Sequence, residues 1–345
     1  MEEKKSFIGL NPTELKEIAL SLNMPAFTAK QLAEWLYKKR VSSIDEMTNI
    51  SVKNRELLKE KFEVGRSEPI FTQTSADGTK KYLFKTREGH FIESVFIPEE
   101  DRFTLCVSSQ AGCKMACKFC MTGKQGFGGQ LSAAEIMNQI MSIPEANELT
   151  NLVFMGMGEP FDNTKELLRT LEILTSDYGY AWSPKRITVS TIGLIPGMKD
   201  FLEKSTCHLA VSMHSPFPKE RLELMSVEKA YPLQEIIQLL RQYDFTKQRR
   251  LSFEYILFEG LNDTTRHAVE VVKLLRGLEC RVNLIRFHAI PDVNLRTSDE
   301  QKIVAFRDYL TNNGIICTIR RSRGEDIFAA CGMLSTNLSQ KPKPL

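Results

Sequence analysis

The chain has 345 residues, 42% of them apolar, with a formal net charge of +3. That is enough apolar content for a large core, arranged as one large domain or a medium one with a smaller companion. The opening "MEEKKSFIGL" has no signal-peptide pattern and no long apolar run follows it, which excludes a membrane-spanning helix and leads us to expect a cytoplasmic protein without membrane partners.

In chain order, "NPTELKEIALSLN" begins with an Asn-Pro cap signal, and "TAKQLAEWLYKK" spaces Leu32, Trp35 and Leu36 along one helical face. Residues 1–66 are therefore expected to form a small helical accessory domain. From 67 to 100 the pattern becomes hairpin grammar: "IFTQT", a turn at Asp77-Gly78, "KYLFKT", a turn at Glu88-Gly89, and "HFIESVFIP".

From 101 to 335 short apolar strands alternate with amphipathic segments. The strands read as "TLCVSS", "TNLVFMGM", "RITVST", "HLAVSM", "LSFEYILF", "RVNLIRF" and "GIICTIR", with helices near 131–146, 163–177, 231–243, 264–276 and 298–313. Such β/α units imply parallel strands in an α/β fold, and periodicity alone leaves a TIM-like barrel and a doubly wound sheet both open. Unusual residues gather where strands end, as on the active face of a barrel. Too few strands for closure then make a partial barrel the expectation, with 336–345 as a tail.

"GCKMACKFC" places Cys113, Cys117 and Cys120 within nine residues. A structural zinc site needs four ligands, and no second paired motif supplies the fourth; a reducing compartment disfavours disulfides. Three thiolates suit an iron-sulfur cubane with one iron left open. Cys-x3-Cys-x2-Cys with an aromatic before the last cysteine, following a first strand, resembles the radical S-adenosylmethionine (SAM) superfamily. The resemblance implies a partial (β/α)6-type radical SAM barrel with an N-terminal helical domain and a hairpin extension. It also implies a 4Fe-4S cluster whose open iron chelates the methionine end of SAM. "GMGEP" resembles the superfamily's GGE-type motif, which gives Gly158 and Glu159 the SAM amino group, and Ser190, Ser212, Met213 and His214 the ribose and carboxylate.

"TLCVSSQAGCKMACKFCMTGKQGF", "FMGMGEP", "VSTIGLIP", "NLIRFH" and "RGEDIFAACG" together resemble the RlmN branch of radical SAM RNA methyltransferases. The implied activity is methylation of adenine carbon 2 in 23S rRNA and tRNA, by a monomer fed electrons by a donor such as flavodoxin. By the same resemblance Cys331 accepts a methyl group from one SAM, and a second SAM supplies the radical that activates it for addition to the base. Glu93 then takes the carbon-2 proton, and Cys106 attacks the Cys331 sulfur to free the RNA through a disulfide. His288 stands where the family usually has an asparagine contacting SAM.

Taken singly, these residues have plainer readings: Cys106, Cys207, Cys280 and Cys317 as small buried hydrophobes, Glu93 as a strand-edge charge, and Ser190 and Ser212 as strand-end hydroxyls. Two other enzymes also share the cluster motif. One methylates carbon 8 of adenine, a choice that Pro160 weighs against; the other is a radical SAM activase, which would need neither Cys106 nor Cys331. An RNA substrate makes Lys38, Lys39, Arg40, Arg320, Arg321 and Arg323 expected phosphate contacts.

Overall fold

The computed structural model describes residues 4–336, so the expected tail lies almost wholly outside the described residues. The first helix, Pro12–Ser21, starts as its sequence dictates. Asn11 accepts a hydrogen bond from the Glu14 amide, the Glu14 carboxylate accepts one from the Asn11 amide, and Pro12 occupies the first turn. A second helix, Thr28–Ala33, continues through Glu34–Lys38 and buries Trp35, Leu36 and Tyr37. The helix Val52–Lys61 completes this region. A short parallel pair that sequence periodicity did not signal, Lys5–Ser6 with Phe62–Glu63, brings its two ends together.

The rest is built on one ten-stranded sheet. Its strands are β1 (Phe71–Thr74), β2 (Lys80–Lys85), β3 (Phe91–Pro98), β4 (Phe103–Cys106), β5 (Asn151–Phe154), β6 (Ile187–Thr191), β7 (His208–Ser212), β8 (Leu251–Leu257), β9 (Arg281–Arg286) and β10 (Ile316–Ile319). They lie side by side in chain order, antiparallel from β1 to β4 and parallel from β4 to β10. The hairpins therefore extend the barrel sheet itself. No pairing joins β10 to the other edge among the described residues, so the barrel is open. All seven residues of β8 are buried, as expected of a strand covered on both faces.

The five expected helices are present as Ala133–Met141, Thr164–Thr175, Leu233–Leu240, Thr265–Leu275 and Glu300–Asn312. Two more, Ile195–Lys204 and Pro218–Leu224, were not among the expected helices; both carry proline in the first turn, where its missing N–H leaves nothing unsatisfied. Among the described residues no helix is long and apolar enough to cross a membrane.

The N-terminal helices and the barrel share one apolar core, joined at its rim by charge. Arg66 donates from Nη1 to the Arg40 carbonyl at 2.8 Å and to Ser42 Oγ at 3.2 Å, and from Nη2 to the Met141 carbonyl. Arg169 pairs with Glu14 at 2.7 Å. Replacing Arg66 with alanine leaves these acceptors without a donor and is expected to cost about 2 kcal/mol, measured as a lower urea midpoint with an unchanged slope.

Candidate active site

Beyond β4 the chain forms a small antiparallel ribbon, Gln110–Gly112 with Phe127–Gln130, and the three clustered cysteines lie on the loop between its strands. Gly112 is required here: it adopts φ +79°, and a Cβ would lie 1.9 Å from the Gly126 carbonyl oxygen. The loop is tied down from three sides. The Cys113 amide donates to the Gly126 carbonyl at 2.8 Å, the Lys118 amide to the Leu224 carbonyl at 3.0 Å and the Met121 amide to the Gly332 carbonyl at 2.8 Å.

Cys113, Cys117 and Cys120 face a common cavity at the C-terminal ends of the strands. Gly158, Glu159, Ser190, Ser212 and His214 line it too. Among the described residues no three donors are drawn tightly enough together to hold a single metal ion. Three thiols spread around one cavity fit a cluster instead, since each ligates a separate iron and one corner is left for a further ligand. Burial pushes the Cys113 thiol up to about 12.

The second-strand motif is shaped by close approach. A Cβ on Gly156 would meet the Val107 carbonyl oxygen at 2.6 Å, and one on Gly158, at φ +99°, would meet Gln110 Cβ at 2.5 Å. The buried Glu159 carboxylate accepts from the Thr191 hydroxyl (2.6 Å), the Ile192 amide (3.0 Å) and the Phe161 amide (3.1 Å). Burial nonetheless raises its pKa to about 7. With three acceptor positions used, the group keeps one for a ligand donor and gains from a nearby cation.

His214 is buried with its backbone at φ +55°. Its Nδ1 accepts from the Ile256 amide at 3.0 Å, which assigns the proton to Nε2, and burial lowers its pKa to about 3, so it is a neutral donor. Met213 departs from expectation: its side chain is wholly buried in the apolar core and does not line the cavity.

A larger cavity of about 480 Å³, within the range of small-molecule sites, lies alongside. Cys106, His288, Arg320, Arg321 and Arg323 line it. His288 was expected to contact SAM; the structure instead puts it in this second cavity, its Nδ1 3.3 Å from the Glu325 carboxylate. Met155, Ile285 and Cys331 line both cavities, and of these only Cys331 has a reactive side chain.

Arg320 lies inward rather than toward solvent phosphates. Its Nη1 donates to Met155 Sδ at 3.2 Å, its Nε is 3.6 Å from Glu254 Oε2, and its guanidinium hydrogen-bonds Cys331 and acts electrostatically on Cys106. Arg40 is likewise occupied, donating to Asn147 at 2.8 Å and lying over the Tyr180 ring, while Lys39 lies 3.6 Å from the Trp35 ring centroid. Glu93 is buried and lines neither cavity; Lys81 stands 3.3 Å from Oε1, and the Ser335 amide donates to Oε2 at 3.1 Å.

Two residues that sequence reading passed over hold the site together. Arg221 is fully buried. It donates to the carbonyls of Ile192 (2.8 Å), Ser212 (3.1 Å) and Met213 (3.2 Å) and pairs with Glu228. Glu254, in the middle of β8, accepts from Asn283 at 2.7 Å and Ser252 at 3.0 Å and faces Arg320.

A partial barrel with three loop cysteines and a GGE-like second strand defines a radical SAM enzyme. The radical SAM superfamily model matches residues 107–287, and a ribosomal RNA large subunit methyltransferase N-terminal domain model matches 6–64. A crystal structure of a radical SAM methyltransferase from Sphaerobacter thermophilus superposes with a TM-score of 0.89 at 37% identity, covering 95% of this chain and 98% of that one. The chain is 64% identical over 99% of its length, and 97% of the relative's, to a probable dual-specificity RNA methyltransferase RlmN of Phocaeicola vulgatus. To the dual-specificity RNA methyltransferase RlmN of Syntrophus aciditrophicus it is 40% identical, covering 93% and 94% of the two chains. The chain belongs to the RlmN family of radical SAM RNA methyltransferases, enzymes that use a 4Fe-4S cluster and SAM.

Replacing Arg221 with methionine strands Glu228 in the core and frees the three strand-end carbonyls. Urea unfolding is expected to show a loss of about 3–5 kcal/mol, with weaker SAM binding by calorimetry on the cluster-loaded protein.

Proposed function

We propose that the chain methylates carbon 2 of adenine in 23S rRNA and tRNA, with Cys331 as the carrier of the methyl group. The observation that supports this most directly is that Cys331 lines both the cavity of the three cysteines and the larger cavity that would hold the base. A sulfur in that position can take a methyl group on one side and present it on the other.

Cys113, Cys117 and Cys120 would hold the cluster, which together with SAM would supply one-electron radical chemistry at this cavity. Glu159 and Gly158 would receive the SAM amino group, the carboxylate with its remaining acceptor position. Ser190, Ser212 and the Nε2–H of His214 offer donors to the rest of the cofactor.

On the RNA side, adenine leaves its stack to enter the larger cavity. Burial pushes the Cys106 thiol up to about 12, which keeps it protonated at rest; the Arg320 guanidinium acts in the other direction. When Cys106 attacks the Cys331 sulfur, an S–S bond forms and the S–C bond to the base's methylene breaks. The electron pair goes to that carbon, which takes a proton to become methyl, while Cys106 loses its own. Glu93, with the Lys81 ammonium 3.3 Å away, would accept the carbon-2 proton. Leu334, next to the Ser335 whose amide donates to Glu93, lines the larger cavity, which is what relates the carboxylate to the proposed base site.

Carbon 2 is favoured over carbon 8 by Pro160 after Gly158-Glu159. The N-terminal domain's match to a ribosomal RNA methyltransferase model supports rRNA as one substrate. We place the enzyme in the cytoplasm as a monomer using a flavodoxin-type donor.

Cys106→Ala is expected to lower turnover by about 100-fold or more and to accumulate RNA bound covalently to Cys331, identified by peptide mass spectrometry. Full turnover with no adduct would overturn the carrier scheme. In a deletion strain, rRNA digests are expected to lose 2-methyladenosine; loss of 8-methyladenosine instead would assign the other carbon.

A further inference from the structure

The larger cavity runs from Cys331 to the opposite end of the sheet, where four basic side chains stand together. His208 opens β7, Arg281 opens β9, and Arg102 and Arg250 immediately precede β4 and β8; all four line the cavity. Of the seven arginines that line it, Arg286 pairs with Glu300, Arg320 with Glu254 and Arg323 approaches Asp77 at 4.0 Å. Arg102, Arg250 and Arg281 have no carboxylate within ion-pair distance among the described residues, and Glu99 is the cavity's one acidic side chain.

The three guanidiniums gain no ion pair on folding among the described residues. In a barrel the N-terminal strand ends ordinarily serve stability, yet here like charges converge. Partial burial together with Arg281 and Arg102 disfavours the charged form of Arg250. His208 Nδ1 accepts from the Arg250 amide at 2.9 Å, so its neutral ring presents an Nε2–H donor. Burial, then Arg250, Lys185 and Arg281, hold its pKa down at about 4. Guanidiniums without a carboxylate partner, those of Arg102 and Arg250 exposed to an incoming ligand, converge with a buried imidazole donor in a cavity that also includes the reacting sulfur, and this arrangement suits an anion.

We propose that Arg102, Arg250, Arg281 and His208 form a phosphate-binding site. It deepens the RNA reading and rests on it for one source of the ligand, a backbone phosphate of the RNA whose adenine reaches Cys331; the other source is a free nucleotide phosphate. Either would be held by guanidinium forks and the imidazole N–H, without reading a base.

The first test is independent of turnover. Histidine-labelled, cluster-loaded protein is titrated by NMR with inorganic phosphate against chloride of equal ionic strength, with His208→Asn assigning the signal. Phosphate is expected to raise the His208 pKa by about half a unit or more, and Arg250→Gln or Arg281→Gln to reduce phosphate affinity about tenfold, with Arg281→Lys intermediate. A His208 signal indifferent to phosphate in the wild-type protein would overturn the site. The second test measures anisotropy of a labelled RNA hairpin over a salt series. If RNA is the source, each glutamine variant lowers the salt slope by about 1. An unchanged slope alongside a phosphate-sensitive His208 assigns the site to a free nucleotide, with 5′-AMP as the probe. Absence of any hairpin binding would count against the RNA reading alone, because the His208 titration stands without it.

Discussion

The arrangement depends on one sulfur belonging to two cavities. Cys331 comes from the segment after β10, the last strand, whereas the three clustered cysteines follow β4, the first of the parallel strands. They can meet because the barrel is open and the segment after β10 folds back to the cysteine loop. The Met121 amide donates to the Gly332 carbonyl, and the Thr122 hydroxyl donates to the Leu334 carbonyl at 2.8 Å. These bonds cross more than two hundred residues of sequence, so the site forms only when the whole sheet has formed.

The cofactor side is built mainly by close backbone approach. Gly156 and Gly158 let β5's end lie against Val107 and Gln110, and the Glu159 carboxylate gathers the Thr191 hydroxyl and Ile192 amide from the end of the neighbouring strand. Arg221 does the same for the carbonyls of Ile192, Ser212 and Met213. Acceptors and donors left over at the ends of parallel strands are thus satisfied by two buried charges, one of each sign, and this holds Ser190, Ser212 and His214 around one cavity.

Much of this was legible in the sequence, for physical reasons. Seven apolar strands in alternation with amphipathic segments announced the parallel sheet, since burial on both faces leaves continuous apolar runs. The cysteine spacing announced the cluster loop because one short loop makes it. Contacts between distant elements gave no such signal. Met213 sits between two residues that line the cofactor cavity, yet strand alternation turns its side chain into the core. His288 follows β9 in a motif that resembled a SAM contact, but it lines the other cavity beside Glu325. Arg221 drew no reading at all, because its partners are mainly carbonyls that no pattern of side chains records. Arg40 and Arg320, read as phosphate contacts, find acceptors within the protein.

Arg320 shows why a charge can be worth keeping where it adds little stability. Its side chain stays 34% exposed while Glu254 is buried, so the pair loses hydration mainly on the carboxylate side, and a partly solvated ion pair adds little. Here the carboxylate is itself held by Ser252 and Asn283, and the guanidinium also reaches Met155, so the cation is fixed from β5, β8 and β9 at once. What it faces is two thiols, both in surroundings that favour the neutral form, to which the proposed scheme gives opposite tasks, Cys331 to take up a group and Cys106 to displace it. Each task needs the thiolate, and each needs it briefly. A cation that cannot swing away lowers the cost of both thiolates without a base for either, which is how one residue between two cysteines can serve both the loading of the carrier and its release.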